Sequence, residues 1–135
     1  MKRILLDTNA YAAFKMGHEE VIKILQHADH IGMSTIVLGE LLAGFSIGSR
    51  HEKNLLELNE FLNVPRVAIY SINEETPNFY ASLYSALKKK GKPIPTNDLW
   101  IAASALQHGL KLCSFDRHFL VIENLIVVTS YAELL

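Results

Sequence analysis

Apolar positions along this chain follow two rhythms that take turns. Short apolar runs at residues 3–6 (RILL), 30–34 (HIGMS), 66–71 (RVAIYS), 110–115 (LKLCSF) and 125–130 (LIVVTS) read as strands. Between them, apolar residues recur every three to four positions, the spacing of a helix with one buried face. TNAYAAFKMG has a polar start and then helical spacing, broken at Gly17 and His18. HEEVIKILQHA resumes it, with Val21, Ile22, Leu25 and Ala28 on one face. Ser34 or Thr35 caps a helix through IVLGELLAGF, whose end Gly44 and Gly48 loosen. HEKNLLELNEFL puts Leu55, Leu58 and Leu62 on one side and stops before Pro65. Thr76 is read as an N-cap, with Pro77 at the first helical position. Tyr80, Leu83 and Leu87 mark the face of that helix, and KKKGK closes it with basic residues suited to a helix C-terminus. Thr96 or Asn97 caps a helix over 98–108 that is apolar on almost every side and ends at Gly109. HFLVIENL reads as a brief helical connection and YAELL as a short terminal helix or tail.

Strands thus alternate with helices, and most strands are apolar without alternation. That pattern predicts an α/β protein, a three-layer sandwich with a central, mostly parallel sheet of four or five strands and helices on both faces. The length of 135 residues suits one domain, 1–135, without linker or repeat. A domain this size buries roughly 68% of its unfolded surface, enough for a core without staples. Half of the residues are hydrophobic and a fifth are charged, which excludes a disordered chain. Thirteen basic against 14 acidic residues leave a net charge of −1, so any nucleic-acid surface must be a local patch. The single cysteine, Cys113, permits no internal disulfide and reads as a small buried hydrophobe. MKRILLD is too short for a signal-peptide core, and no apolar run approaches the ~18 residues of a membrane span. A cytoplasmic protein with no membrane partner is expected.

Four acids fall at junctions between these elements. Asp7 ends the first strand, Asp116 ends the fourth, Asp98 lies in the first turn of one helix, and Glu40 lies about one turn into another. In an open α/β sheet, ligands gather at the carboxyl ends of the strands. Each acid taken alone has a plainer use: Asp7 as a helix cap, Asp98 as a helix-dipole acid, Asp116 as a turn residue. Against these, Thr96 and Asn97 already offer capping oxygens beside Asp98, and Glu40 shares a face with Ile36, Val37 and Ala43. Convergent carboxylates repel, by ~4 kcal/mol per pair at 4 Å and an effective dielectric of 20. A divalent cation relieves that repulsion, and oxygen-only ligands suit Mg²⁺ or Mn²⁺. The chemistry such a site implies is metal-dependent hydrolysis of a phosphodiester.

LLDTN at 5–9, the acid in STIVLGELLAG, the stretch PTNDLWIAASAL and the closing SFDRHF, taken in order, resemble the PIN-domain family, and within it the VapC-type toxins of toxin–antitoxin pairs. The resemblance covers nearly the whole chain. It implies a small α/β/α ribonuclease that needs Mg²⁺ or Mn²⁺, with Asp7, Glu40, Asp98 and Asp116 as the catalytic acids. Asp7, Asp98 and Asp116 would hold metal, and Glu40 would ligate or orient the attacking water. Ser114, where the family often carries threonine, and Asn9 would support the acids through hydrogen bonds. An RNA substrate, a VapB-like antitoxin whose tail blocks the acidic groove, and a homodimer are also implied.

Other features weigh less. Lys88, Lys89, Lys90 and Lys92 form one basic cluster, which either complements a helix end or contacts RNA phosphates. Arg117 and His118, next to Asp116, are placed to touch substrate. Gly44–Gly48 matches G-x-S-x-G, but a helical stretch precedes it where the nucleophile elbow needs a strand, and it is read as a loop. His27 and His30, read as three apart on a helix, lack a second ligand pair for zinc. Trp100 and Phe119 read as core or dimer-interface residues. An aspartyl-nucleophile phosphatase would want an acid two positions after Asp7, where Asn9 stands. A PIN-like nuclease of RNA processing or DNA repair, and a non-catalytic binding module on the same scaffold, are the rival readings.

Overall fold

A computed structural model describes residues 1–135. Five strands, β1 (Arg3–Leu6), β2 (His30–Ser34), β3 (Val67–Tyr70), β4 (Lys111–Cys113) and β5 (Val127–Val128), form one sheet in the order β3-β2-β1-β4-β5. Every pairing is parallel. Seven helices connect and flank them: α1 (Thr8–Lys15), α2 (Glu19–His27), α3 (Thr35–Ile47), α4 (His51–Leu62), α5 (Thr76–Lys89), α6 (Thr96–His108) and α7 (Tyr131–Leu134). The result is the expected α/β/α sandwich. From β1 the chain steps outward to β2 and β3, then crosses back to β4 and β5 on the other side. Right-handed crossovers in opposite directions put helices on opposite faces. They also open a crevice where the order reverses, between the carboxyl ends of β1 and β4.

The central strands are apolar throughout because both faces are covered. Ile4, Leu5, Leu6, Leu112 and Cys113 are fully buried. β3, at the edge, is only half-buried, and its Ile69 faces solvent. Beside it, Tyr70 lies flat across Gly32 of β2, where an added Cβ would come within 2.7 Å of the ring, and its hydroxyl meets His30 Nε2 at 2.7 Å. Helix α6 buries Leu99 and Ile101–Ala105, matching its nearly all-round apolar sequence. It ends at Gly109, whose φ of 65° is the left-handed cap conformation that glycine adopts freely. No helix is long and apolar enough to cross a membrane.

Several local expectations change. The fourth and fifth strands are shorter than their apolar runs, at Lys111–Cys113 and Val127–Val128. Helix α3 continues through Gly44 to Ile47, so the G-x-S-x-G stretch is helix rather than loop, and Ser46 Oγ donates back to the Ala43 carbonyl. Thr76 does not cap α5. Asn73 Oδ1 accepts from the Thr76 and Glu75 amides, while the Thr76 hydroxyl is buried against Gln107. Thr96 and Asn97 do not cap α6. The helix already includes both residues, follows Pro95, and has no side-chain cap. His27 and His30 do not share a helix, because α2 ends at His27 and His30 opens β2. Phe119 is fully buried in the core, and Trp100 packs on Tyr80 with ring centroids 4.2 Å apart.

Candidate active site

Asp7 leaves β1 into the crevice. Its backbone is locked first: the Asp7 amide donates to the Cys113 carbonyl at 3.0 Å, tying the ends of β1 and β4 together. Its carboxylate caps α1 by accepting the Thr8 amide at 2.8 Å, and takes a second bond from Ser114 Oγ at 2.7 Å. The residue is 4% exposed. Burial pushes its pKa up from 3.8 to about 6, against the pull of the Ser114 and Thr8 bonds, and the charges of Asp98 and Glu40 push the same way.

Ser114 organises the β4 end. Besides donating to Asp7, its hydroxyl accepts from the Asp116 amide at 3.0 Å and from Asn9 Nδ2 at 3.4 Å. Asn9 Oδ1 in turn accepts the Phe115 amide at 3.0 Å. The turn after β4 is therefore sewn to the start of α1, which fixes where Asp116 begins. Asp116 caps the 3₁₀ turn Arg117–Val121, accepting the His118 amide at 2.9 Å. Phe119 drives that turn into the core.

Glu40, half-buried on α3, receives the Thr8 hydroxyl at 2.6 Å and Asn97 Nδ2 at 3.3 Å. It bridges the starts of α1 and α6 instead of pointing away into solvent. Asp98 sits in the first turn of α6, where the unpaired amides favour a negative charge. Burial nevertheless pushes its pKa up, opposed by a hydrogen bond from His118, with Asp116 and Glu40 adding to the rise.

Thr8, Asn97 and His118 join the expected residues here. His118 Nδ1 lies 3.0 Å from Asp98 Oδ2 and 3.0 Å from Asp116 Oδ1, so one imidazole spans both acids. Its bond to Asp98, then the charge of Asp116, raises its pKa. The ligand atoms of Asp98, Asp116 and His118 all lie within 4.8 Å of one another. In sequence, only the adjacency of His118 to Asp116 hinted at this role.

No lysine or arginine pairs with any of the four acids. The ion pairs of the chain are Lys15–Glu57, Lys23–Glu20, Lys90–Glu123 and the two of His118. The four acids thus have one exposed imidazole and no lysine or arginine against them, a donor set that a divalent cation suits. The basic cluster lies at the near end of the α5–α6 hairpin, since the C-terminus of α5 leads through residues 90–95 into the first turn of α6. Lys90 is engaged there with Glu123 at 2.9 Å and the Val121 carbonyl at 3.2 Å. Lys89 and Lys92 are exposed, as is Lys88, whose Nζ stands 5.8 Å from the Tyr84 ring centre. Arg117 is exposed beside Asp116.

Comparison with known proteins agrees with this geometry. The family model for the PIN domain matches residues 4–125. Ribonuclease VapC2 of Rickettsia felis is 33% identical over 128 residues, which span 91% of this chain and 94% of that protein. Ribonuclease VapC4 of Mycobacterium tuberculosis is 26% identical over 129 residues, 96% of this chain and 98% of that one. Among solved structures, VapBC2 from Rickettsia felis bound to a DNA fragment from their promoter superimposes with a TM-score of 0.81 at 30% identity, covering 93% of this chain and 96% of that one.

Proposed function

This chain belongs to the PIN-domain family, among relatives named ribonuclease VapC, and from that premise we propose that it is a metal-dependent endoribonuclease, the VapC-type toxin of a toxin–antitoxin pair. The observation that carries the reading is the set of four acids at the β1–β4 crevice with no lysine or arginine counterion. Asp7 is buried with its pKa raised to about 6, and perturbed carboxyls of this kind concentrate at functional sites, which favours an enzyme over a binding module on a retained scaffold.

In this reading Asp7, Asp98 and Asp116 hold Mg²⁺ or Mn²⁺, which when bound makes water a better nucleophile and offsets charge on the phosphodiester. The chain's own residues do the positioning. Ser114 and Asn9 fix Asp7 and the Asp116 turn through their hydrogen bonds. Glu40, held from two sides by Thr8 and Asn97, orients the attacking water or serves as a further ligand. Lys88, Lys89, Lys92 and Arg117 contact RNA phosphates along the rim. Hydrolysis by this route leaves a 5′-phosphate and a 3′-hydroxyl. Residues 1–135 act as one nuclease domain in the cytoplasm, as a homodimer, restrained by a VapB-like antitoxin.

The test is cleavage of total RNA with Mg²⁺, Mn²⁺ or EDTA by the wild type, Asp7→Asn and Asp98→Asn. Cleavage is expected with either metal, and is expected to vanish with EDTA and in both variants. Cleavage that persists in both variants overturns the four-acid mechanism. Growth arrest on expression, relieved by the neighbouring gene, tests the toxin role separately.

A further inference from the structure

We propose that His118 is a direct nitrogen ligand of the divalent cation, and that this chain's site therefore favours Mn²⁺ over Mg²⁺. The inference rests on the metal-dependent reading above and extends it to a residue outside the four acids. His118 Nδ1 is 3.0 Å from one oxygen of Asp98 and 3.0 Å from one oxygen of Asp116. Neighbouring ligand atoms around a six-coordinate cation with bonds of about 2.1 Å are themselves about 3.0 Å apart. The imidazole thus already stands at ligand spacing from each carboxylate, and all three donor atoms lie within 4.8 Å of one another.

The backbone favours this arrangement. Asp116 caps the 3₁₀ turn by accepting the His118 amide, and fully buried Phe119 anchors the same turn one residue on. The imidazole is therefore carried by a segment fixed at both ends, not by a free loop. Asp98 reaches it from α6, a separate element whose buried face fixes its position. The donor set then differs from an all-carboxylate one. Mg²⁺ takes oxygen almost exclusively, whereas first-row transition ions accept imidazole readily.

Mn²⁺ and Mg²⁺ binding to the wild type, His118→Ala and His118→Gln distinguishes the outcomes, at one mildly alkaline pH and without RNA. Spin-echo EPR of bound Mn²⁺ reports ¹⁴N coordinated directly, and competition with Mg²⁺ gives the ratio of the two affinities. Wild type is expected to show ¹⁴N modulation. Both variants are expected to lose it, to bind Mn²⁺ roughly tenfold more weakly, and to lose less affinity for Mg²⁺. Circular dichroism checks that the exposed substitution leaves the fold intact. Mn²⁺ bound without ¹⁴N modulation, or modulation that survives in His118→Ala, overturns the inference while leaving the nuclease reading in place. No Mn²⁺ bound to the wild type overturns both.

Discussion

At the scale of single residues, Asp7 carries the largest conflict between stability and chemistry. Its carboxyl has a pKa of about 6 when folded and an ordinary 3.8 when free. Below the lower value both states hold the proton and burial costs nothing. As pH rises through the interval, the unfolded chain releases its proton first, so folding loses stability, by about 3 kcal/mol once above about 6. Asp7→Asn removes that cost. In EDTA the variant should melt higher than wild type at pH 7.5, by about 2–3 kcal/mol, and no higher at pH 4. Equal melting at both values would mean that the buried charge is compensated. Part of this arrangement was legible in the sequence: the four acids gathered at one crevice, and Ser114 bonded to Asp7, whereas Asn9 reaches the acids only through Ser114 and the Phe115 amide. The bridge made by His118 was not. It depends on where α6 sets Asp98 against the turn after β4, a distance across 20 residues of chain that no local pattern encodes.

At the scale of elements, the 3₁₀ turn Arg117–Val121 ranks above its five residues. Two of the proposed metal ligands, Asp116 and His118, begin or ride on it, and Phe119 is its only fully buried side chain. Phe119→Ala should cost ~3–5 kcal/mol in denaturant unfolding, and should weaken RNA cleavage beyond what the lost stability explains. Cleavage unchanged in the folded fraction would show that the turn holds its shape without its anchor. The start of α6 shows what patterning misses. Thr96 and Asn97 are good capping types, yet the helix takes both in, because Pro95 supplies a fixed φ and Asn97 finds Glu40 on another helix. Propensity ranks caps locally, whereas a partner that lies far away in sequence decides the outcome. Helix α3 likewise runs on past Gly44 to Ile47, although of that last turn only Phe45 packs against the core.

At the scale of the whole molecule, the runs of apolar strands made the parallel sheet legible, and the sheet then explains the site. The order β3-β2-β1-β4-β5 reverses at β1 and β4, the two strands that deliver Asp7 and Asp116. Strand order itself was not legible, since all five runs read alike. The even overall charge, −1, likewise hid any substrate surface, which must be sought as a patch. Of the four clustered lysines, Lys90 is occupied by Glu123. Single-stranded RNA binding, measured in EDTA so that none is cut, should weaken with salt. Replacing Lys88, Lys89 and Lys92 together by alanine should lower the log–log slope by about 2, at roughly 0.7 per phosphate contact. Lys90→Ala should change it less. A slope unmoved by the triple change would remove the lysines from the RNA path.

The bond from the Ser114 amide to the Val128 carbonyl, together with that from the Asp7 amide to Cys113, has a consequence for the chain during its synthesis. Asp7, the first of the four acids, is made ahead of α3, α6 and β4. Its neighbours on one side, β4 and the turn that bears Asp116, are made long after it, and β5 must emerge before β4 has its second partner beside β1. Domains fold as their segments leave the ribosome, at about 5–20 residues per second. A half-made chain therefore holds Asp7 without Ser114, Asp116 or His118. The acids are thereby brought together only once β4 and the turn after it have been made.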